Sequence, residues 1–590
     1  MQIRQLSLVA AISALTFTTT TNAVLGPIPI YLNTEYRTPN PVIGSIASTL
    51  SFSSDDIKST GANTFLDFLS SIPSVGLVNP TGNVPAIFIR GNEARHTLIL
   101  VDGVNIHDAS STDAAAGYGL TTITLNDIEK VDIIKGSGSV LYGASAVAGV
   151  INIATKKGAD GNKAIMSAKF GTSNAKTYTL SASSGNKDGF VRLTHNQYTN
   201  DGINAQTGDT TNEKDSVDNI ATQIKIGNEH YSITYLKSRS KTEYDGWGGT
   251  DNNELSDRNL NTITINSHKK ISNDWNANVL ISQTESRRDS GSNATTIGDK
   301  LESTSIALLN DINIGNALLN VGLSNNNIEN ITDKLKHNSQ EVFANWQQNI
   351  NNIDINTGVR HIKHNKFGNK IVYGLGIAKY LDNNIKLTSS YNSTFNSPSL
   401  FHLNNSPNLN PETGKNIEIG IEKQYDKGLI SAKFFNNKVK SFVTYDGTWN
   451  AANDYTNTDK LSTKGIDLHG NTSVFDYYFN LDYNYVDSKL NNENAQSIRR
   501  PKNTINLTIN KQNDQFNPTL QIIKKSSSLD TLNNTRLEGY TLVNLSSNYA
   551  INNNSNVSLT IKNATNKDYT TAVGYNTLGR AIEIGLDYNF

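Results

Sequence analysis

The sequence predicts an all-β transmembrane barrel of about 22 antiparallel strands, with an N-terminal α+β domain held inside its lumen. Three observations predict it. Hydrophobic residues make up only 36% of the 590 residues, too few for a large dry core. From about residue 159 to the end, apolar and polar residues alternate with a period of two, and no helical segment interrupts them. The stretch before it is different, with short β-branched runs between helix caps and turns. A closed barrel with a lipid-facing exterior and a wet interior reconciles the low apolar content with residence in a membrane.

Composition excludes several classes. The chain has no cysteine, which removes disulfide scaffolds, thiolate metal sites and cysteine nucleophiles. Lys and Arg number 52 against 53 Asp and Glu, so the bulk-basic signature of a nucleic-acid binder is missing and no nucleic-acid partner is expected. The ten histidines form no HExxH pattern and no G-x-S-x-G elbow occurs, so no enzyme activity is expected. Gly136-Ser137-Gly138 lacks the ending and context of a phosphate loop, and its glycines suit close backbone turns instead.

Residues 1–23 have the pattern of a signal peptide: Arg4, then the apolar run Leu6–Phe17, then Thr21-Asn22-Ala23 at a cleavage site. Residues 24–52 form a leader and linker. Residues 53–158 form the α+β domain. Ser53-Ser54-Asp55-Asp56 and Asn63-Thr64 place cap-type residues ahead of two short helices, and Pro73 ends the second. Four strand-length runs follow, Ala86–Ile89, Thr97–Val101, Val131–Ile134 and Val150–Ile153. Residues 159–590 carry the barrel. Ile417, Ile419 and Ile421 share one face, as do Val557, Leu559 and Ile561, and Ile582, Ile584, Leu586, Tyr588 and Phe590. Asn351-Asn352 and Asn383-Asn384 mark turns, and tyrosines near strand ends suit an interfacial girdle. At about 20 residues per strand and loop, this stretch allows about 22 strands, a size whose lumen holds a folded domain.

The residues resemble the TonB-dependent outer-membrane receptors. The resemblance is carried by Ile87-Phe88-Ile89-Arg90-Gly91, by Leu98-Ile99-Leu100-Val101-Asp102-Gly103-Val104, by Ile128–Gly136 and by Ser139–Ile153. It continues in Phe395-Asn396-Ser397-Pro398-Ser399-Leu400, in Pro407–Thr413, in Asn563–Tyr569 and in the terminal Phe590. Within the family, Gly574–Arg580 is most similar to the cobalamin (vitamin B12) receptors. The resemblance implies a plug domain, a Gram-negative outer-membrane location among outer-membrane lipid, and a monomer. It also implies import driven by a TonB-type energy-transducing inner-membrane protein, with cobalamin or a siderophore-like ligand as cargo. A ferric-siderophore or haem receptor is the alternative. A passive porin or adhesin is disfavoured by the N-terminal domain.

The same resemblance implies site residues. The coupling segment falls on Pro29, Ile30, Tyr31, Leu32, Asn33, Thr34 and Glu35, which would add as a strand to the partner's sheet edge; a leader with no role is the other reading. Acidic residues gather in two early barrel loops, and oxygen-rich clusters suit Ca²⁺, which takes about 6–8 oxygen ligands. Similarity to the cobalamin receptors places calcium on Asn204, Glu213, Asp215, Asp245 and Asp257, where it orders the loops; simply solvated loops are the other reading. Substrate contact falls on Ala86, Glu93, Ser111, Thr112, Gly246 and Arg499, which are otherwise ordinary loop residues. Arg90 and Glu129 are expected to pair with each other or to meet barrel carboxylates.

Overall fold

Twenty-two antiparallel strands close into a barrel, each paired with its sequence neighbour from Gly161–Gly171 to Ala581–Asn589. The seam joins the last strand to the first, from Ile165 opposite Asn589 to Gly171 opposite Glu583. This computed structural model describes residues 33–34, 38–39, 46, 48–62, 64–78, 85–111, 119–120, 123–158, 160–208, 213–245, 254–292, 296–445, 454–490, 496–511, 515–530 and 535–590. The expected signal peptide lies outside them.

Alternation sorts the barrel's side chains. Ile417, Ile419 and Ile421 stand 41–56% exposed on the outside, while Asn416, Glu418 and Gly420 between them face the interior. The final strand repeats this with Ile582, Ile584, Leu586 and Tyr588 outward. Hydrocarbon offers no hydrogen bonds, so the strand ladder satisfies the backbone and closure removes the edges. Connections at one rim are tight. Asn351 and Asn352 form a two-residue turn with φ of 50° and 63°, the left-handed pair that suits a right-twisted hairpin. Outward Tyr231, Tyr425 and Tyr477 sit at strand ends on this rim. The opposite rim carries longer connections, including residues 201–216, 245–253, 397–411, 526–539 and 563–580. By this asymmetry the long connections are extracellular and the tight turns periplasmic.

The N-terminal domain fills the lumen. Its sheet runs in the order Ser48–Ser53, Ile128–Lys135, Gly149–Thr155, Thr97–Val101, Val104–Asn105, and only the Thr97–Val101 and Gly149–Thr155 pair is parallel. A separate ribbon pairs Val75–Val78 with Ala86–Ile89. The helices Ser54–Ser59 and Phe65–Ser70 each begin with a capping box, Ser53 with Asp56 and Thr64 with Asp67. The domain therefore starts by Ser48, ahead of the expected residue 53. Its first strand, STLSFS, is too polar to stand out from a linker. Barrel pairing among the described residues begins at Gly161.

The domain has a dry core of its own. Phe65, Phe68, Leu69, Ile87, Ile89, Ile99, Ile133, Ile151 and Ile153 pack together with almost no exposure. The glycine-rich turn behaves as its sequence suggests. Gly136 has φ +94°, and a Cβ on Gly138 would lie 2.8 Å from Val150 Cγ2.

Phe68 is fully buried, with its ring edge-on to Phe52 at 5.1 Å. Phe68→Ala should cost about 3–5 kcal/mol of plug stability. Urea-dependent proteolysis of the plug checks this, and an unchanged midpoint would contradict the assignment of the core.

Candidate functional site

On the long-loop rim, two connections bring carboxylates together. Glu213, Asp215 and Asp245 each place an oxygen within 4.8 Å of the others. Asp215 and Asp245 are buried. Asp215 is held by its own loop, since Oδ2 accepts the Ala205 N–H at 2.8 Å. Asn204 is adjacent, and its Oδ1 accepts the Gln206 N–H at 3.1 Å. Three carboxylates this close repel one another unless a cation or protons intervene. An all-oxygen donor set of this charge fits a hard divalent ion such as Ca²⁺.

Asp257 does not join them. It has the parity of Ile263 and Ile265 on Glu254–Ser272, which places it on the outer face. There Arg239 grips it, Nε donating to Oδ1 at 3.0 Å. Strand alternation forbids a residue of that parity from turning inward, a constraint already present in the sequence.

The carboxylate loop is tied to the last long connection. Gln206 bridges to Tyr575, Thr207 N donates to Gly574 O at 2.8 Å, and Asn576 N donates to Ala205 O at 2.7 Å. Tyr575 and Ala572 in turn pack on the plug ribbon, against Ala86, Phe88 and Val78. The cluster, the final loop and the plug apex thus form one continuous structure.

The predicted contact residues divide. Ala86 is buried in that apolar contact. Glu93 accepts from Arg500 at 2.7 Å. Burial pushes its carboxyl up, but Arg500 and Arg95 more than offset this and hold it below the usual range. Ser111 lies on the plug apex, and its hydroxyl donates to Asp108 O at 2.9 Å. Thr112 and Gly246 lie outside the described residues, as does most of Pro29–Glu35; only Asn33 and Thr34 are described, pairing with Thr38 and Pro39. Arg499 turns to Asp530 through two bonds of 2.9 and 3.0 Å. Its neighbour Arg500 is the residue that reaches the plug, with its guanidinium 3.6 Å from the Phe88 ring centroid.

Ionic contacts join plug and barrel wall; the sequence anticipated barrel carboxylates for Arg90, and the other pairs were missed. Arg90 donates to Glu418 at 2.6 Å and to Asp467 at 2.6 Å, and all three are buried. Glu129 is exposed and takes no part. Arg95 and His96 share Glu412, each at 2.8 Å. Lys225 reaches Asp102 at 2.8 Å, and Arg192 reaches Asp127 at 2.8 Å. Barrel Arg360 donates to the plug carbonyls of Val140 and Leu141 while paired with Glu341. Strand parity alone places Lys225, Arg360, Glu418 and Asp467 on the lumen side. Their partners lie too far away in sequence to be paired by inspection.

Buried charges thus seat the N-terminal domain inside the closed 22-strand barrel. Residues 156–566 match the β-barrel of TonB dependent receptor-like proteins, and residues 41–150 match the TonB-dependent Receptor Plug Domain. The chain belongs to the TonB-dependent receptor family. It is therefore a Gram-negative outer-membrane transport receptor and not an enzyme. Among curated relatives, the Vitamin B12 transporter BtuB of Photobacterium profundum is 23% identical over 583 residues, covering 94% of this chain and 95% of its own length. The Vitamin B12 transporter BtuB of Vibrio vulnificus is 23% identical, with the same coverage. In fold, this receptor is similar to the siderophore receptor PirA from Acinetobacter baumannii, with TM-score 0.78 and 16% identity over 93% of this chain and 99% of that one. The ferric yersiniabactin uptake receptor FyuA from Yersinia pestis gives TM-score 0.75 and 14% identity, over 92% and 98%.

Arg90 is engaged on several sides, since its guanidinium also lies 4.3 Å from the Phe435 ring centroid. Arg90→Met should lower plug stability by about 3–5 kcal/mol, because Glu418 and Asp467 stay buried without it. Chemical denaturation of the reconstituted receptor followed by plug proteolysis measures this. A midpoint equal to wild type would show that Lys135 and Lys433, at 3.4 and 3.7 Å from the same carboxylates, suffice.

Proposed function

We propose that this receptor imports cobalamin, that calcium on Glu213, Asp215 and Asp245 orders the loops above its plug, and that residues 29–35 are the segment drawn by a TonB-type partner. One observation carries the reading: the carboxylate loop is bonded to the 563–580 connection, and that connection packs on the plug apex. The curated relatives, named as vitamin B12 transporters and matched almost end to end, support the choice of cargo.

The chemistry follows from placement. Calcium bound there would offset most of the charge of three converging carboxylates and fix two loops against each other. The loops then hold the 563–580 connection over the ribbon that carries Ala86 and Phe88. Arg500, stacked on Phe88 and bonded to Glu93, links the barrel's 491–502 connection to the same plug surface. Cargo settling on this surface shifts contacts that run through the plug sheet. The sheet's first strand, Ser48–Ser53, follows the coupling segment in sequence and pairs with Lys130–Lys135. Pulling on an added strand transmits force along the backbone, and the chain needs no energy source of its own.

Purified receptor should bind cyanocobalamin about tenfold more tightly with calcium than with chelator, within the usual range of site-to-site coupling. Asp245→Asn should remove most of that difference. Equilibrium binding checks both, and no cobalamin binding in calcium would overturn the choice of cargo. Tight binding of a ferric siderophore instead would establish the alternative.

Deleting residues 29–35 should abolish energy-dependent uptake in cells and leave cobalamin binding intact. Uptake that survives the deletion would place the coupling segment elsewhere.

A further inference from the structure

Five lysines crowd the outer face of three neighbouring barrel strands. Lys415 lies on Glu412–Tyr425, Lys438 and Lys440 on Gly428–Tyr445, and Lys460 and Lys464 on Tyr455–Val474. Each has the parity of its own strand's lipid-facing residues, which are Ile417 and Ile419, Ile430 and Phe434, and Ile466 and Leu468. The register sets Lys415 directly opposite Lys438 and Lys440 directly opposite Lys460. Lys438 faces Ser462, so Lys464 is its diagonal neighbour. Directly opposed residues hold their Cβ atoms about 4.5–5.5 Å apart, and like charges there destabilise a sheet.

Nothing within the described residues relieves this repulsion, since none of the five lysines forms an ion pair there. The acidic residues Glu412, Glu418 and Asp467 on the same strands point the other way, into the lumen and onto the plug. Among the described residues, the outward carboxylate nearby is Asp487, opposite Lys464 in register. Two further cations already flank it, Lys489 at 3.9 Å and Lys502 at 3.6 Å.

The height of the patch identifies its counter-charge. All five lysines lie on the long-loop side of the apolar belt. Lys415 is two residues beyond Ile417, a rise of about 7 Å along a strand. This is where lysine stems lie along apolar surface and lift their ammonium groups to the headgroup layer. We propose that this face binds the phosphate groups of an outer-leaflet lipid headgroup, fixing one lipid molecule across the three strands.

The test uses the intact receptor in detergent, with bisphosphorylated lipid A as probe and native mass spectrometry as readout. Wild type should retain the probe, and the dephosphorylated lipid should bind at least about tenfold more weakly. The quadruple variant K415Q/K438Q/K440Q/K464Q should lose at least about tenfold for the phosphorylated probe, whereas K379Q/K423Q, at the opposite end of the belt, should bind as wild type does. If the quadruple variant does not fold, K415Q/K438Q serves with the same expected direction. Equal retention by the lysine-patch variant and wild type overturns the proposal. So does equal retention of the phosphorylated and dephosphorylated lipids by wild type.

Discussion

A backbone amide in hydrocarbon must find its partner within the protein, and the rest of this molecule follows from that requirement. It forces the strands to close on themselves. Closing this many strands creates a lumen too wide for side chains alone to fill. The lumen is lined by whatever the lipid face does not use, here Asn, Thr, Lys, Glu and Asp. A domain placed in such a lumen meets a polar wall, so it is seated by charges and hydrogen bonds while its apolar residues turn in on each other.

That division gives the two parts different kinds of stability. The plug core around Phe68 and Ile151 is dry and resists opening by ordinary hydrophobic burial. The contact with the wall runs through groups such as Arg90 and Lys225, which are costly to strand singly but are readily hydrated once water enters. An interface of this kind holds firmly at rest and yields when it is wetted. An importer needs that combination, because its plug must block the pore and later let cargo pass without unfolding the barrel.

Much of the fold was legible in the chain. Period-two alternation marked the lipid face strand by strand, the Asn351-Asn352 pair marked a tight turn, and the cap-type clusters at Ser53–Asp56 and Asn63-Thr64 marked helix starts. The candidate site was less legible, for physical reasons. Loop residues such as Arg499 and Arg500 have no periodicity to say which one faces the plug, and the structure chose the second. Asp257 was legible in principle, because its parity with Ile263 excluded it from any inward cluster. The plug-to-wall pairs were not, since each joins segments whose proximity only the closed barrel creates.

The seam between the first and last barrel strands has a consequence for biogenesis. Its partners are roughly 420 residues apart along the chain, the longest-range strand pairing in the described barrel, and high contact order means slow folding. Until Ala581–Asn589 arrives, Gly161–Gly171 offers a bare edge to any other strand it meets. Synthesis therefore delivers the strand that completes the cylinder after every other barrel strand, and a growing chain needs an escort that covers the open edge until then.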